Sequence, residues 1–541
     1  MNRIGLLILC FAFLTIHARA QKQTDTSALS NGATVENGGK LIEFLSAETY
    51  NVKKSDSMDF IIFVGHVQIR QGKTLLFGDS LILNNTLNTL EGFGHIHIND
   101  ADSVHTYSDY LKYLGDTKKA FLRKKVKLTD GKGVLTTDSL DYDATTKIGS
   151  FIKGGKLVRD KTILTSKEGV YYGETRDVIF KKKVELRDVE NKIITDTLTY
   201  NTYSQQANFT SPSKIITGSR VISTSNGNFN TGLKKANLFD RSSVDDSTYH
   251  FIADDMIIDD STGISEFKGA AIYRSKDTLG FDLLAGNIKT NKKKSILLAT
   301  ENPVLLLKQK KDTLYIAADT LHTGKISDLS RAIPKARDSI GKIKDTTLDK
   351  YFEAYHHVRI YSDSLQAKAD SLFYSLSDST IRLITNPIVW ANDNQITGDT
   401  IYLYVKNKKP EQLYVFENAF AINKIDTTDY YNQLKGNKLN AWFEEGSISK
   451  MRTKGNAENI YFAIDKENKF IGMNHSNAQI IEITFENNEP AKVVFRNQLT
   501  GIMNPMGQTP KSQTLIRGFK WQDELRPKSK KELFPLGFFM H

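Results

Sequence analysis

Val126-Lys127-Leu128-Thr129, followed shortly by Asp138-Ser139-Leu140-Asp141-Tyr142-Asp143, is the stretch that decides the fold. Apolar and polar residues alternate with a period of two, which is the signature of a strand with one buried face. The same two phrases recur as Val67-Gln68-Ile69-Arg70 with Asp79-Ser80-Leu81-Ile82-Leu83-Asn84, and as Val184-Glu185-Leu186-Arg187 with Asp196-Thr197-Leu198-Thr199-Tyr200-Asn201. Ile96-His97-Ile98-Asn99 is another copy of the first phrase. Asp319-Thr320-Leu321, Asp370-Ser371-Leu372-Phe373-Tyr374 and Asp399-Thr400-Ile401-Tyr402-Leu403 repeat the second, with weaker copies from Asp109, Glu168 and Asp255. A fixed period of roughly 30 residues marks a repeat array in which each unit buries its apolar face only against its neighbours. The chain reads as all-β, a β-solenoid-like stack.

Composition agrees. Only 10 of 541 residues are proline, and the first is Pro212. Proline cannot donate to a strand ladder, so long sheet explains its absence. The formal charge of +11 suits an anionic partner, although solubility accounts for it equally well. Arg3, the apolar run Ile4 to Ile16 and Ala18-Arg19-Ala20 read as a signal peptide over residues 1–20. The chain's one cysteine, Cys10, lies inside it, so a secreted protein without disulfides is expected.

The array divides on this reading. A flexible segment spans 21–40, a first β-repeat array 41–324, and a polar, charged linker or insertion with a short helix 325–350. A second, less regular array covers 351–505, and a mobile basic tail 506–541. The repeated aspartates read as turn residues, each bonding its own backbone where the chain enters the next strand. Catalysis needs one special site rather than a dozen equivalent ones.

Reaction chemistry is not evident. There is no Walker loop, dinucleotide glycine pattern, nucleophile elbow or cysteine knuckle, so no catalytic residue and no cofactor is assigned. His95 and His97 share a strand face, with His105 not far along, but polar face residues are the commoner case without a third ligand at fixed spacing. His356-His357 point opposite ways on a strand. Asp254-Asp255 and Asp259-Asp260 bracket Met256-Ile257-Ile258 as its polar ends rather than a calcium site. Lysines and aromatics form no nucleic-acid motif, and no nucleic-acid partner is expected.

Thr137-Asp138-Ser139-Leu140-Asp141-Tyr142, Ile194-Thr195-Asp196-Thr197-Leu198-Thr199-Tyr200, Ala318-Asp319-Thr320-Leu321 and Ala369-Asp370-Ser371-Leu372-Phe373-Tyr374, spaced from strands such as Gly65-His66-Val67, resemble the organic-solvent-tolerance-protein-like (OstA-like) domain. That is the periplasmic bridge domain of lipopolysaccharide transport (the Lpt system). The resemblance covers residues 40–324 well and 350–500 more loosely. It implies an open, twisted β-jellyroll whose two sheets form a V-shaped trough for the acyl chains of lipid A. The implied setting is the periplasm of a Gram-negative bacterium, with association at the outer membrane. The implied partners are lipopolysaccharide and other transport components; terminal rungs of a solenoid expose unpaired strand edges, so edge contact near Ile61 to Ile69 with such components or with a second copy of the chain is expected. The larger apolar side chains mark the inward set: Val67, Ile69, Leu81, Leu83, Ile96, Ile98, Val126, Leu128, Leu140, Tyr142, Val184, Leu186, Leu198 and Tyr200. Lys127 and Glu185 face outward. Two other classes compete, a structural or adhesive surface solenoid with a closed core and a carbohydrate-active β-helix enzyme. The second needs a local break carrying a carboxylate and basic cluster, and no clear one is found.

Overall fold

The computed structural model describes residues 34–35, 42–55, 59–100, 104–277, 280–308, 313–329, 349–406, 409–425, 428–465, 467, 469–487 and 489–534. The signal-peptide reading, most of 21–40 and the body of the linker lie outside them. The described residues are strand nearly throughout, with only short 3-10 turns besides. The chain divides into two compact units, residues 1–246 and 247–541.

In both units neighbouring strands are antiparallel, and where a corner divides a strand, as between Ile148–Phe151 and Gly155–Arg159, each half pairs within its own leaf. Asp59–Gln71 pairs with Thr74–Asn84, and Thr74–Asn84 with Thr89–Asp100. The 11-residue rhythm of Val104–Leu114, Lys119–Thr129 and Gly133–Asp143 continues the meander. A repeat near 30 residues is therefore two strands with their turns.

Every long strand bends once, near its middle. The register breaks between Phe93 and Ile96, between Arg123 and Val126, and between Lys181 and Val184. At each break two successive residues take positive φ: Gly94 and His95, Lys124 and Lys125, Lys182 and Lys183. Such a bulge turns the strand and reverses which residues face inward. The sheet is thereby folded along a corner line into two leaves. Residues 59–64, 80–84 and 89–93 lie on the first leaf, and 67–71, 74–78 and 96–100 on the second.

The repeated aspartate sits at this corner. Asp79 meets His95 Nδ1 at 2.8 Å and Asp319 meets His357 Nδ1 at 2.8 Å. Asp109 faces Lys125 at 3.3 Å, Glu168 accepts from Lys182 at 2.7 Å, and Asp399 accepts from Asn418 Nδ2. These carboxylates hold the bend of a neighbouring strand, not their own turn as expected. The turn belongs instead to the last residue of the phrase. Asn84 Oδ1 accepts from Leu87 N–H, Asp143 Oδ1 from Thr145 and Thr146, and Asn201 Oδ1 from Tyr203 and Ser204. The Thr146 N–H bond leads in holding the Asp143 carboxyl below its usual range.

Gly94 tests the corner. Its φ is +68°, and a Cβ there would fall within 2.1 Å of the Asp79 carboxylate, whereas Gly72 has φ +59° and open space. Gly72→Ala is expected to cost about 1 kcal/mol for the backbone alone. Gly94→Ala adds loss of the Asp79 contact, for roughly 2–3 kcal/mol in all. Urea unfolding of the two variants checks the order.

In unit 2 the sheet does not stop at the expected linker. Thr313–Ala317 and Thr320–Gly324 on one side both pair with Tyr351–Tyr361 on the other. The linker's described ends carry a 3-10 turn, Ile326–Asp328, and Ser327 donates to Asp349 through N–H at 2.9 Å and Oγ at 2.7 Å.

The basic tail, expected to be mobile, is an ordered strap over residues 506–534. It runs back along the outer face of the second leaf of unit 2. Gln433 grips it through Thr514 O and Ile516 N–H, and Gln395 through Lys520 O and Gln522 N–H, at 2.7–2.8 Å. Arg526 Nε donates to Gln366 Oε1 at 2.8 Å, and Arg359 donates to Glu532 O at 3.0 Å. Ile516 is 2% exposed, packed with Ile422, Ile460 and Phe462, and Leu533 is 2% exposed against Val304 and Ala317. Apolar burial on a face that would otherwise meet water orders the segment.

Candidate functional site

In unit 1 the inward side chains of the two leaves meet. On the second leaf Val67, Ile69, Ile96, Ile98, Val126, Val184 and Leu186 are all buried. So are Leu81, Leu140, Tyr142, Leu198 and Tyr200 on the first. Leu83 and Leu128 are only partly buried, and Lys127 is exposed on the opposite face. Between the leaves stand residues that the sequence reading did not single out. Phe151, Phe180 and Phe209 form one file at 0–1% exposure, and Tyr113, Tyr171 and Phe229 extend the file of Tyr142 and Tyr200. Their even spacing along the sequence is the signal that could have found them. Each fully buried aromatic stabilises the interior by about 1.5–3 kcal/mol. The interior of unit 1 is filled by its own side chains.

The leaves are joined covalently only through the corner, so the opposite side is a mouth between two rims of turns. Lys234, in a turn of the first rim, meets Glu190, in a turn of the second, at 2.8 and 2.9 Å. Both side chains are about half exposed, at 45% and 52%, so this pair contributes only about 0–1 kcal/mol. Burial is the main cause raising the Tyr171 and Tyr200 hydroxyls above their ordinary range, with Asp130 near the first and Asp160 and Asp188 near the second adding to it. Those three aspartates belong to the second rim, so the tyrosine file reaches across the mouth.

The histidine and aspartate candidates do not assemble a metal centre. His95 takes φ +39° at a corner and bonds Asp79, while His97 lies in a stack with Phe77, Tyr107 and His105. The bulge at Phe93/Ile96 parts them. His97 Nε2 is 3.0 Å from His105 Nδ1, and burial, then the His105 charge, lowers its pKa. His356 and His357 bond Asp370 and Asp319 at another corner. Asp259 turns its own chain by accepting from Ser261 and Thr262. Among the described residues no group of three or more His, Cys, Asp or Glu side chains is placed to hold a metal ion.

Among the described residues, strand edges without a second partner occur in each unit. Thr49–Lys54 in unit 1 is exposed along its whole length and pairs on one side with Asp59–Gln71. Asp59–Gln71, where edge contact was expected, is already paired on both sides. In unit 2, Glu489–Arg496 and Thr500–Pro505 both pair with Phe470–Glu486, and Leu499, Ile502 and Met503 are exposed.

Comparison with known proteins gives two family matches. Residues 39–194 and 181–254 match the family described as OstA-like protein, and residues 284–409 match the family described as LptA/(LptD N-terminal domain) LPS transport protein. Among solved structures, LptH from Pseudomonas aeruginosa, described as the LptA homologous periplasmic component of the conserved lipopolysaccharide transport device, is 10% identical. That alignment covers 25% of this chain and 82% of LptH, with a TM-score of 0.19. No curated protein matches the chain.

Proposed function

Because the chain belongs to the OstA-like family of lipopolysaccharide-transport bridge domains, we propose that it is a periplasmic carrier that holds lipopolysaccharide acyl chains between its leaves and passes them towards the outer membrane. The observation that carries this reading is a pair of apolar inner faces joined along one corner line, with half-buried Leu83 and Leu128 towards the mouth. Burying one acyl methylene contributes about 0.8 kcal/mol, so a chain of a dozen carbons gains roughly 10 kcal/mol. That gain offsets the parting of inner side chains and far exceeds the Lys234–Glu190 pair. The work is transport without bond making or breaking in this chain. Exposed edges such as Thr49–Lys54 are templates for adding a strand from another transport component or a second copy.

The filled interior, with Phe151, Phe180 and Phe209 at 0–1% exposure, favours a second reading, a purely structural array. A photo-crosslinking residue decides between them. Placed at Leu83 or Leu128, it should capture lipopolysaccharide in growing cells, and at Lys127 or Glu185 it should not. Folded protein without an adduct at either inward position would leave the structural array as the function.

A further inference from the structure

The outer face of the first leaf of unit 2 carries rings and cations in rows fixed by register. Across successive strands Arg382 pairs with Tyr402, Tyr402 with Tyr414, Tyr414 with Asn440, Asn440 with Arg452 and Arg452 with Glu482. The row on its corner side holds Phe416, Lys438 and Lys454, and the row on its rim side Gln412, Trp442 and Lys450. Tyr402, Tyr414, Phe416 and Trp442 are half-buried. Phe416 meets Tyr402 at 4.7 Å and Tyr414 at 4.3 Å between ring centroids, both edge to face. Lys450 Nζ and Arg452 Cζ lie 5.6 and 5.9 Å from the centre of the Trp442 ring.

Charge is unbalanced on this face. Glu482, the acid of these rows, has its side chain 12% exposed and is already shared by Lys450 at 3.3 Å, Arg452 at 2.9 Å and Arg496 at 3.6 Å. Lys438 and Lys454 stand directly opposite each other, both exposed, and neither makes an ion pair among the described residues. Like charges in that position destabilise a sheet. The Cβ atoms of directly opposed residues are about 5 Å apart, so one compact dianion reaches both ammonium groups. A phosphate monoester carries about 1.5–2 negative charges, whereas each diester phosphate of a nucleic acid carries about one. The rings beside the lysine pair are electron-rich on their faces, and the flat C–H face of a pyranose packs against such a surface. Held edge to face between strands, these rings do not project far enough to enter a bilayer.

We infer that this face docks a saccharide bearing a phosphate monoester, the phosphate between Lys438 and Lys454 and the sugar rings running over Phe416 and Tyr414 towards Trp442. The surface is turned away from the space between the leaves. The inference therefore goes beyond the carrier reading and stands or falls apart from it.

The test is calorimetry on the full chain with mannopentaose 6-phosphate as the probe. Mannopentaose, inorganic phosphate, dodecathymidylate and phosphatidylglycerol vesicles are the comparison ligands. The sugar phosphate should bind at least about tenfold more tightly than any of them. Lys438→Gln combined with Lys454→Gln should weaken it by about tenfold or more, since both charges face the phosphate at short range. Lys73→Gln combined with Lys132→Gln removes the same charge from exposed turns of unit 1 and should leave binding unchanged. Phe416→Leu keeps the apolar contact without the ring and should narrow the advantage over inorganic phosphate. All these positions are exposed or half-exposed, so the fold is kept. Thymidylate or vesicles binding as tightly as the sugar phosphate would overturn the assignment. So would equal losses in the two lysine double variants, or full affinity in the Lys438→Gln, Lys454→Gln chain.

Discussion

Trp390→Ala is expected to destabilise unit 2 by about 3–5 kcal/mol, among the largest losses for any single substitution in the chain. Trp390 is fully buried, and its strand neighbours are Gln366 and Gln395, two of the side chains that grip the strap. Its Nε1 has no hydrogen-bond partner among the described residues, so Trp390→Phe should cost far less. Ending the chain after Pro505 should cost more than either, because it uncovers Ile422, Ile460 and Phe462 together with Trp390. An exposed patch of that kind promotes association. Urea unfolding and size-exclusion chromatography read both effects. An unchanged melting temperature in the truncated chain would mean that the strap is not part of the fold.

The second large effect concerns the mouth of unit 1. Glu190→Cys and Lys234→Cys, joined by a short bis-maleimide, should reduce lipopolysaccharide capture at Leu128 to background, and a cleavable linker should restore it on cleavage. The native side chains meet at 2.8 Å across the mouth, and the chain's one cysteine, Cys10, lies in the expected signal peptide. Glu190→Gln alone should change capture little, since a half-exposed pair contributes about 0–1 kcal/mol. Undiminished capture in the linked protein would mean that lipid does not enter between these rims.

Unit 1 was legible because its strands obey one rule. Val126-Lys127-Leu128 and Val184-Glu185-Leu186 alternate cleanly, with one face dry and the other wet. The corners were not, since Lys124, Lys125, Lys182 and Lys183 adopt positive φ with no residue preference to announce it. The aspartates were seen and given the wrong bond, because only the pairing shows that Asp79 lies beside His95. The bridge from Lys234 to Glu190 spans 44 residues, beyond the reach of any local pattern. The strap was missed because Ile516, Phe519, Trp521 and Leu533 follow no period. Its trace was in the strands beneath it. Ile388-Val389-Trp390-Ala391 is buried at every position, and Phe420-Ala421-Ile422 likewise, the pattern of a strand covered on both sides.

The strap also makes unit 2 mechanically lopsided. Its second leaf is clamped between an inner packing layer and the strap, whose backbone is held at Gln395 and Gln433 and whose Arg526 side chain is held at Gln366. On the outer face of the first leaf the partly exposed Lys450, Arg452 and Arg496 pair with a largely shielded Glu482, and such charge pairs resist bending weakly. Thermal flexing therefore concentrates in one wall.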